Sequence, residues 1–197
     1  MKIPVLVGLS LLLFLPSGAV GQEFRRDLRE TLLRLEVIQS TDAQFVFNTH
    51  QSFLMGQTIP NAMVLGIIAE NTNTWNFSVY AETDDGLNPD EWEQILSYSN
   101  QGEPPQIRDL EIRVRNNANT TLVPEYTAMG NTFDRLYIIP ESEDPIDCPA
   151  QGTNTPGSYL TDPTCYRLSV DYRFKPSYGM KPGLYRLRII YEIKENL

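Results

Sequence analysis

The residues of this chain that could carry acid-base or metal chemistry are few and poorly spaced for it. His50 is the only histidine. Neither a Ser-His-Asp relay, in which an imidazole moves the proton, nor a histidine-rich metal site can therefore be assembled within one chain. Its neighbours Asn48, Thr49, Gln51 and Ser52 read as a polar loop. Glycoside hydrolysis asks only for two carboxyl groups at a fixed separation. The available acids fall into two groups, Asp84, Asp85, Asp90, Glu91 and Glu93, then Glu141, Glu143 and Asp144. Both groups stand among Gly and Pro, where neighbouring acids are ordinarily solvated turn residues. No catalytic residue, metal ligand or cofactor site is assigned, and the chain is read as non-enzymatic.

Ligand binding without catalysis has more material. In ETDDGLNPDE, Asp84, Asp85 and Asn88 offer the hard oxygen donors that calcium prefers, although the spacing is not that of an EF-hand loop. Sugar binding would draw on flat apolar rings with polar edges, which Trp75, Trp92, Tyr80 and Tyr98 supply. Trp75 alternates with Phe77 and Val79 on one strand face and reads as core. Tyr80 lies on the opposite face, so Tyr80 and Trp92 are the candidate ligand contacts. Two Asn-x-Ser/Thr sequons start at Asn76 and Asn119, and they matter only in a secretory route that glycosylates.

The N-terminus indicates the compartment. MKIPVLVGLSLLLFLPSGAVGQ has one basic residue, an apolar run from Ile3 to Leu15 and small residues ending at Ala19 or Gly21. That is the pattern of a cleaved export signal, residues 1–21, and the run is shorter than the ~20 residues a membrane span needs. An extracytoplasmic protein is expected, periplasmic, cell-surface or secreted, with one domain over 22–197. Loss of Lys2 with the leader takes the net charge from −9 to −10. So acidic a chain repels nucleic acid and anionic membrane surfaces alike. Its partners are expected to be proteins or glycans at the cell surface, with self-assembly included. Cys148 and Cys165 bracket a stretch rich in Gly, Pro, Asn and Thr, and in an exported protein they are expected to form a disulfide.

The elements that must position these residues are short strands. Period-two patterns run through 33–38, 45–47, 75–81, 110–115, 166–174 and 185–193, with an apolar run at 62–70 and a further short strand at 135–140. One helix is expected at NPDEWEQILSY, where Asn88 caps, Pro89 takes the first position, Asp90 and Glu91 favour the dipole, and Trp92, Ile95 and Leu96 share a face. Seven or eight strands with so little helix describe an antiparallel sandwich. The long connector KPSYGMKPG is expected to carry the chain from one sheet to the other, so that the last two strands close opposite sheets of one core.

NTWNFSVYAE, PPQIRDLEIRV and the terminal GLYRLRIIYEI, entered through KPG, resemble the layout of immunoglobulin-like β-sandwiches in exported bacterial surface and appendage proteins. The likeness covers residues 71–115 and 166–193. It implies an all-β immunoglobulin-like fold and a structural or adhesive role at the cell surface or in an appendage of the fimbrial type. Fimbrial subunits of the chaperone-assembled kind also end in an alternating strand that opens on a glycine, as Gly183 does. They carry an aromatic next to last where this chain has Asn196, and their disulfide ties the first two strands. The alternative role is carbohydrate binding on the same scaffold.

Overall fold

The computed structural model describes residues 32–70, 74–83, 88–117, 122–123, 125–140 and 154–195. Residues 1–21, expected to be an export signal, and Asp84, Asp85, Asn119, Glu141, Glu143, Asp144 and Cys148 lie outside them. In chain order the elements are β1 Leu32–Ser40, α1 His50–Met55, β2 Gln57–Glu70, β3 Trp75–Glu82, β4 Glu93–Ser97 and β5 Leu110–Asn116. They continue with β6 Thr127–Ala128, β7 Leu136–Ile139, β8 Gly157–Ser158, α2 Pro163–Tyr166, β9 Arg167–Phe174, β10 Gly183–Arg186 and β11 Arg188–Glu195. A 3-10 turn at Ile107–Asp109 leads into β5. The fold is all-β, and every named strand pairing is antiparallel.

One sheet runs β1-β2-β9-β5-β6, with β8 on β2; a second runs β11-β3-β7; a two-stranded ribbon joins β10 to β4. The period-two runs of β5 and β9 bury their apolar sets as read, whereas in β1 Leu33 and Leu35 are half-buried and Val37 is exposed, and β3 buries Asn76 and Ser78 of its other face as well. Leu110, Ile112 and Val114 of β5 and Leu168, Val170, Tyr172 and Phe174 of β9 are buried from the first sheet, and Trp75, Phe77, Val79 and Ala81 of β3 with Ile189 and Tyr191 of β11 from the second. All belong to one core cluster. Burying such side chains contributes about 1.5–3 kcal/mol each. The Tyr172 and Tyr191 hydroxyls, one from each sheet, meet at 2.7 Å, and burial holds both phenols above the ordinary tyrosine pKa. β9 and β11 lie in different sheets, but the connector KPSYGMKPG leads from β9 into β10 of the ribbon, and the chain reaches the second sheet only after Arg186.

Three expectations are corrected. Residues 88–98 are not a helix. Glu91 N–H closes a turn on the Asn88 carbonyl, Trp92 N–H donates to Pro105 O, and Glu93–Ser97 pairs with Gly183–Arg186. The capping signals serve only the turn. An apolar stripe two turns long is marginal as a helix, and the pairing strand arrives some 90 residues later. The run at 45–47 is irregular chain whose Phe45 and Phe47 rings pack on Phe174 at 5.6 Å, pinned by two hydrogen bonds between the Gln57 side chain and the Val46 backbone. The terminal run is two strands, since the chain leaves β4 after Arg186 and joins β3 from Arg188, with Leu187 buried at the switch.

α1 falls where the sequence reads as loop. Thr49 caps it, accepting from Ser52 N–H while Ser52 Oγ accepts from Thr49 N–H. That is a capping box with Ser in place of the customary Glu or Gln. Gly56, at φ +72°, ends the helix against the Phe174 carbonyl and Lys175, a backbone conformation that a side chain would strain.

Candidate functional site

The sequence-expected site residues do not converge. Trp92 is 2% exposed; its ring lies 5.0 Å from that of Phe174, and its Nε1–H donates to Gln106 O at 2.9 Å. It is a core residue with a satisfied polar edge, which corrects its reading as a ligand contact. Trp75 is core as expected, its indole donating to Thr155 O. Tyr80 is half-buried, and the Arg135 guanidinium sits over its ring at 4.7 Å, covering one face. Burial, with Glu192 and Glu82 beside it, raises its pKa. Tyr98 is exposed at the end of β4. Asn76 is only 4% exposed within β3, so its amide is out of reach of a glycosylating enzyme once the chain is folded.

The acids take separate partners. Asp90 accepts from Asn131 Nδ2, Glu91 from Gln106 Nε2 and Glu93 from the bidentate Arg186 guanidinium. His50 is exposed at the start of α1. Among the described residues no group of three or more His, Cys, Asp or Glu is arranged to hold a metal ion. Cys165 is buried and no cysteine among the described residues is free. Its expected partner Cys148 lies outside them.

Among the described residues the most buried ionised group is Asp171 of β9, with no exposed surface. The Asn61 N–H donates to it at 2.8 Å, Arg113 at 2.7 and 3.0 Å, and Arg115 at 3.0 Å to each oxygen. Burial by itself would raise this carboxyl; the Asn61 N–H and the two guanidiniums outweigh it and hold the pKa below the ordinary value. Asn61 has φ +48° and lies where the β2–β9 register shifts between Ile59 and Met63. Asp171 therefore clamps the irregular part of β2 from the neighbouring strand.

Two features are not absorbed by the scaffold. The first is an aromatic end. Rings run in contact from Trp92 through Phe174, Phe47 and Phe53 to Tyr178, the last pair 5.4 Å apart. This row reaches from core to solvent, where Tyr178 and Met55 are each 75% exposed and Val46 and Leu54 are exposed beside them. A sequence signal marks it: residues 43–57 and 174–182, which build this end, hold no Asp or Glu, while the chain has 25. They carry Lys175 and Lys181.

The second feature is a cleft of about 390 Å³ lined by Asp90, Gln106, Ile107, Arg108, Met129, Gly130, Asn131 and Asp134. The turn after β6 shapes it. Asn131 Oδ1 accepts from the N–H groups of Phe133 and Asp134, which aims its amide at Asp90. Gly130 is required there, since a Cβ would run into the Asp134 carbonyl oxygen. No family model matches this sequence, and neither does any curated protein.

Proposed function

We propose that the chain is a non-enzymatic module of an extracytoplasmic assembly, an immunoglobulin-like β-sandwich that joins copies of itself through its aromatic end. The observation that carries this is the acid-free, ring-to-ring apolar surface at Phe53, Leu54, Met55 and Tyr178 on a protein of net charge −9. Such a net charge ordinarily keeps copies apart. An end that lacks carboxylates and carries two lysines is the surface on which another acidic copy can settle. Its rings are held by packing, so little side-chain freedom is lost on contact. Two such ends would repel through their lysines, so the contact is head-to-tail, and a head-to-tail contact that does not close builds an open chain. The sandwich reading is supported by the common core between the β1-β2-β9-β5-β6 and β11-β3-β7 sheets.

Sedimentation of the exported form over rising concentration tests this. Expected is a mass that grows with concentration and falls with salt, and a monomer for the Met55→Asp/Tyr178→Asp double variant. Both positions are exposed, so its melting temperature should stay within a few degrees of the parent. A parent that remains monomeric throughout, or a double variant that assembles equally well, overturns the reading. A second reading, carbohydrate binding, is favoured by the polar cleft.

The export route also bears on Cys165, whose bridge to Cys148 belongs to this proposal. Cys148→Ser with Cys165→Ser should lower stability by about 2–4 kcal/mol and leave the β spectrum unchanged, because the closed loop restricts mainly the unfolded chain. Thiol titration of the native, non-reduced protein should find none. Two titrating thiols would remove the bridge.

A further inference from the structure

We infer that the cleft beside the β6–β7 turn is a binding site for a neutral saccharide. The inference rests on the carbohydrate-binding reading and is independent of self-association. Ligand clefts of about 300–1,000 Å³ are the common size for small molecules, and this one falls within that range. Its lining includes the apolar residues Ile107 and Met129 and planar polar groups of both hydrogen-bonding senses. Asp90 and Asp134 accept, Arg108 donates, and the Asn131 amide is fixed in place by the two backbone N–H groups that its carbonyl accepts. Among the described residues neither the Asp134 carboxylate nor the Arg108 guanidinium has a hydrogen-bond or ion-pair partner, although both line the same cleft.

That combination selects the ligand class. Each sugar hydroxyl both donates and accepts, so vicinal hydroxyls suit a lining that holds carboxylate, amide and guanidinium groups, while the C–H face of the ring suits the apolar Ile107 and Met129. An anion would meet Asp90 and Asp134. A metal ion would meet Arg108, and two carboxylates fall short of the usual oxygen cage. Phe133, 88% exposed in the same turn, adds a ring that nothing in the fold requires to be outside. Phe133 is not part of the cleft's lining, but as an exposed aromatic of the turn that shapes the cleft it is available to stack on a sugar face.

The test is amide NMR of the exported protein titrated with the methyl glycosides of glucose, galactose, mannose and N-acetylglucosamine. At least one should shift the signals of Ile107, Arg108, Gly130 and Asn131 in a saturable way. Asp134→Ala and Arg108→Ala should each weaken that glycoside by about tenfold or more, the loss expected when a charge-assisted hydrogen bond is removed. Leu160→Ala, at an exposed position outside the cleft's lining, should leave it unchanged. Both cleft residues are exposed, so folding is not at stake, and the unperturbed remainder of each spectrum checks it. Saturable shifts confined to residues away from the cleft would keep carbohydrate binding and discard this site. No saturable shift with any glycoside would discard both.

Discussion

Ile189→Asp should unfold the protein or leave it barely folded, while Arg188→Asp, one residue earlier, should cost no more than about 1 kcal/mol. Ile189 is fully buried at the second pair of the β11–β3 ladder, opposite Ala81. A carboxylate there has no hydrogen-bond donor provided for it and must either lose its solvation or take up a proton. The cost is about 4 kcal/mol or more, against a total stability of about 5–15 kcal/mol for a domain. Arg188 is half-buried and stands opposite Glu82, so the change sets two like charges across a strand pair near solvent. Urea denaturation of both variants, read by far-ultraviolet circular dichroism, compares them directly. Equal midpoints would show that β11 does not alternate between core and solvent, since a shift of one residue in register exchanges the two faces.

That contrast rests on the part of the fold most legible in the sequence. In β5, β9 and β11 the apolar residues recur every second position over seven or eight residues, and each strand formed where that pattern lies. Local patterning fails where the deciding partner is remote. Trp92 to Ser97 carry helix signals, yet cross-strand pairing with Gly183–Arg186 and the Glu93–Arg186 ion pair decide their state. Trp92 itself illustrates why single aromatics are poor guides to a binding site. Its polar edge finds Gln106 O, and that partner is invisible until the chain folds.

The candidate surfaces are legible only in part. The absence of acids from 43–57 and 174–182 can be read from the chain, but that the two segments form one end cannot, since contact between Phe53 and Tyr178 joins them. The cleft is less legible still. Asp90, Arg108, Asn131 and Asp134 come from three separate loops and follow no motif. A glycine followed at once by an asparagine, Gly130-Asn131, is the one local sign of a tight turn there. Asp171 reads as one of the polar positions of its strand, and by alternation it does face away from Val170 and Tyr172. Its burial comes from Arg113, Arg115 and the Asn61 backbone closing over it.

Replacement of Asp171 should be the costliest change outside the apolar core. Asp171→Ala removes the carboxylate that Arg113 and Arg115 share and leaves the Asn61 N–H without its acceptor, so about 3–5 kcal/mol is expected, the range for breaking a buried ion pair. The lower end is favoured because the two arginine side chains are 27% and 22% exposed and water can solvate them. Asp171→Asn keeps an oxygen for the Asn61 N–H and should cost less, about 1.5–3 kcal/mol. The two variants separate the charge from the hydrogen bond. pH provides the decisive reading. Because the folded-state pKa of Asp171 lies below the ordinary value of 3.8, its ionised form contributes stability that is fully present above that value and is lost as pH falls through the lower, folded value. The amide of the Asp171→Asn variant has no such proton to bind. The stability gap between parent and Asp171→Asn should therefore be constant from neutrality down to about pH 5 and shrink as pH falls below the ordinary value of 3.8. A gap that is unchanged at low pH would mean that neither the arginines nor the Asn61 N–H favours the ionised carboxylate, and that the clamp on β2 does not depend on its charge.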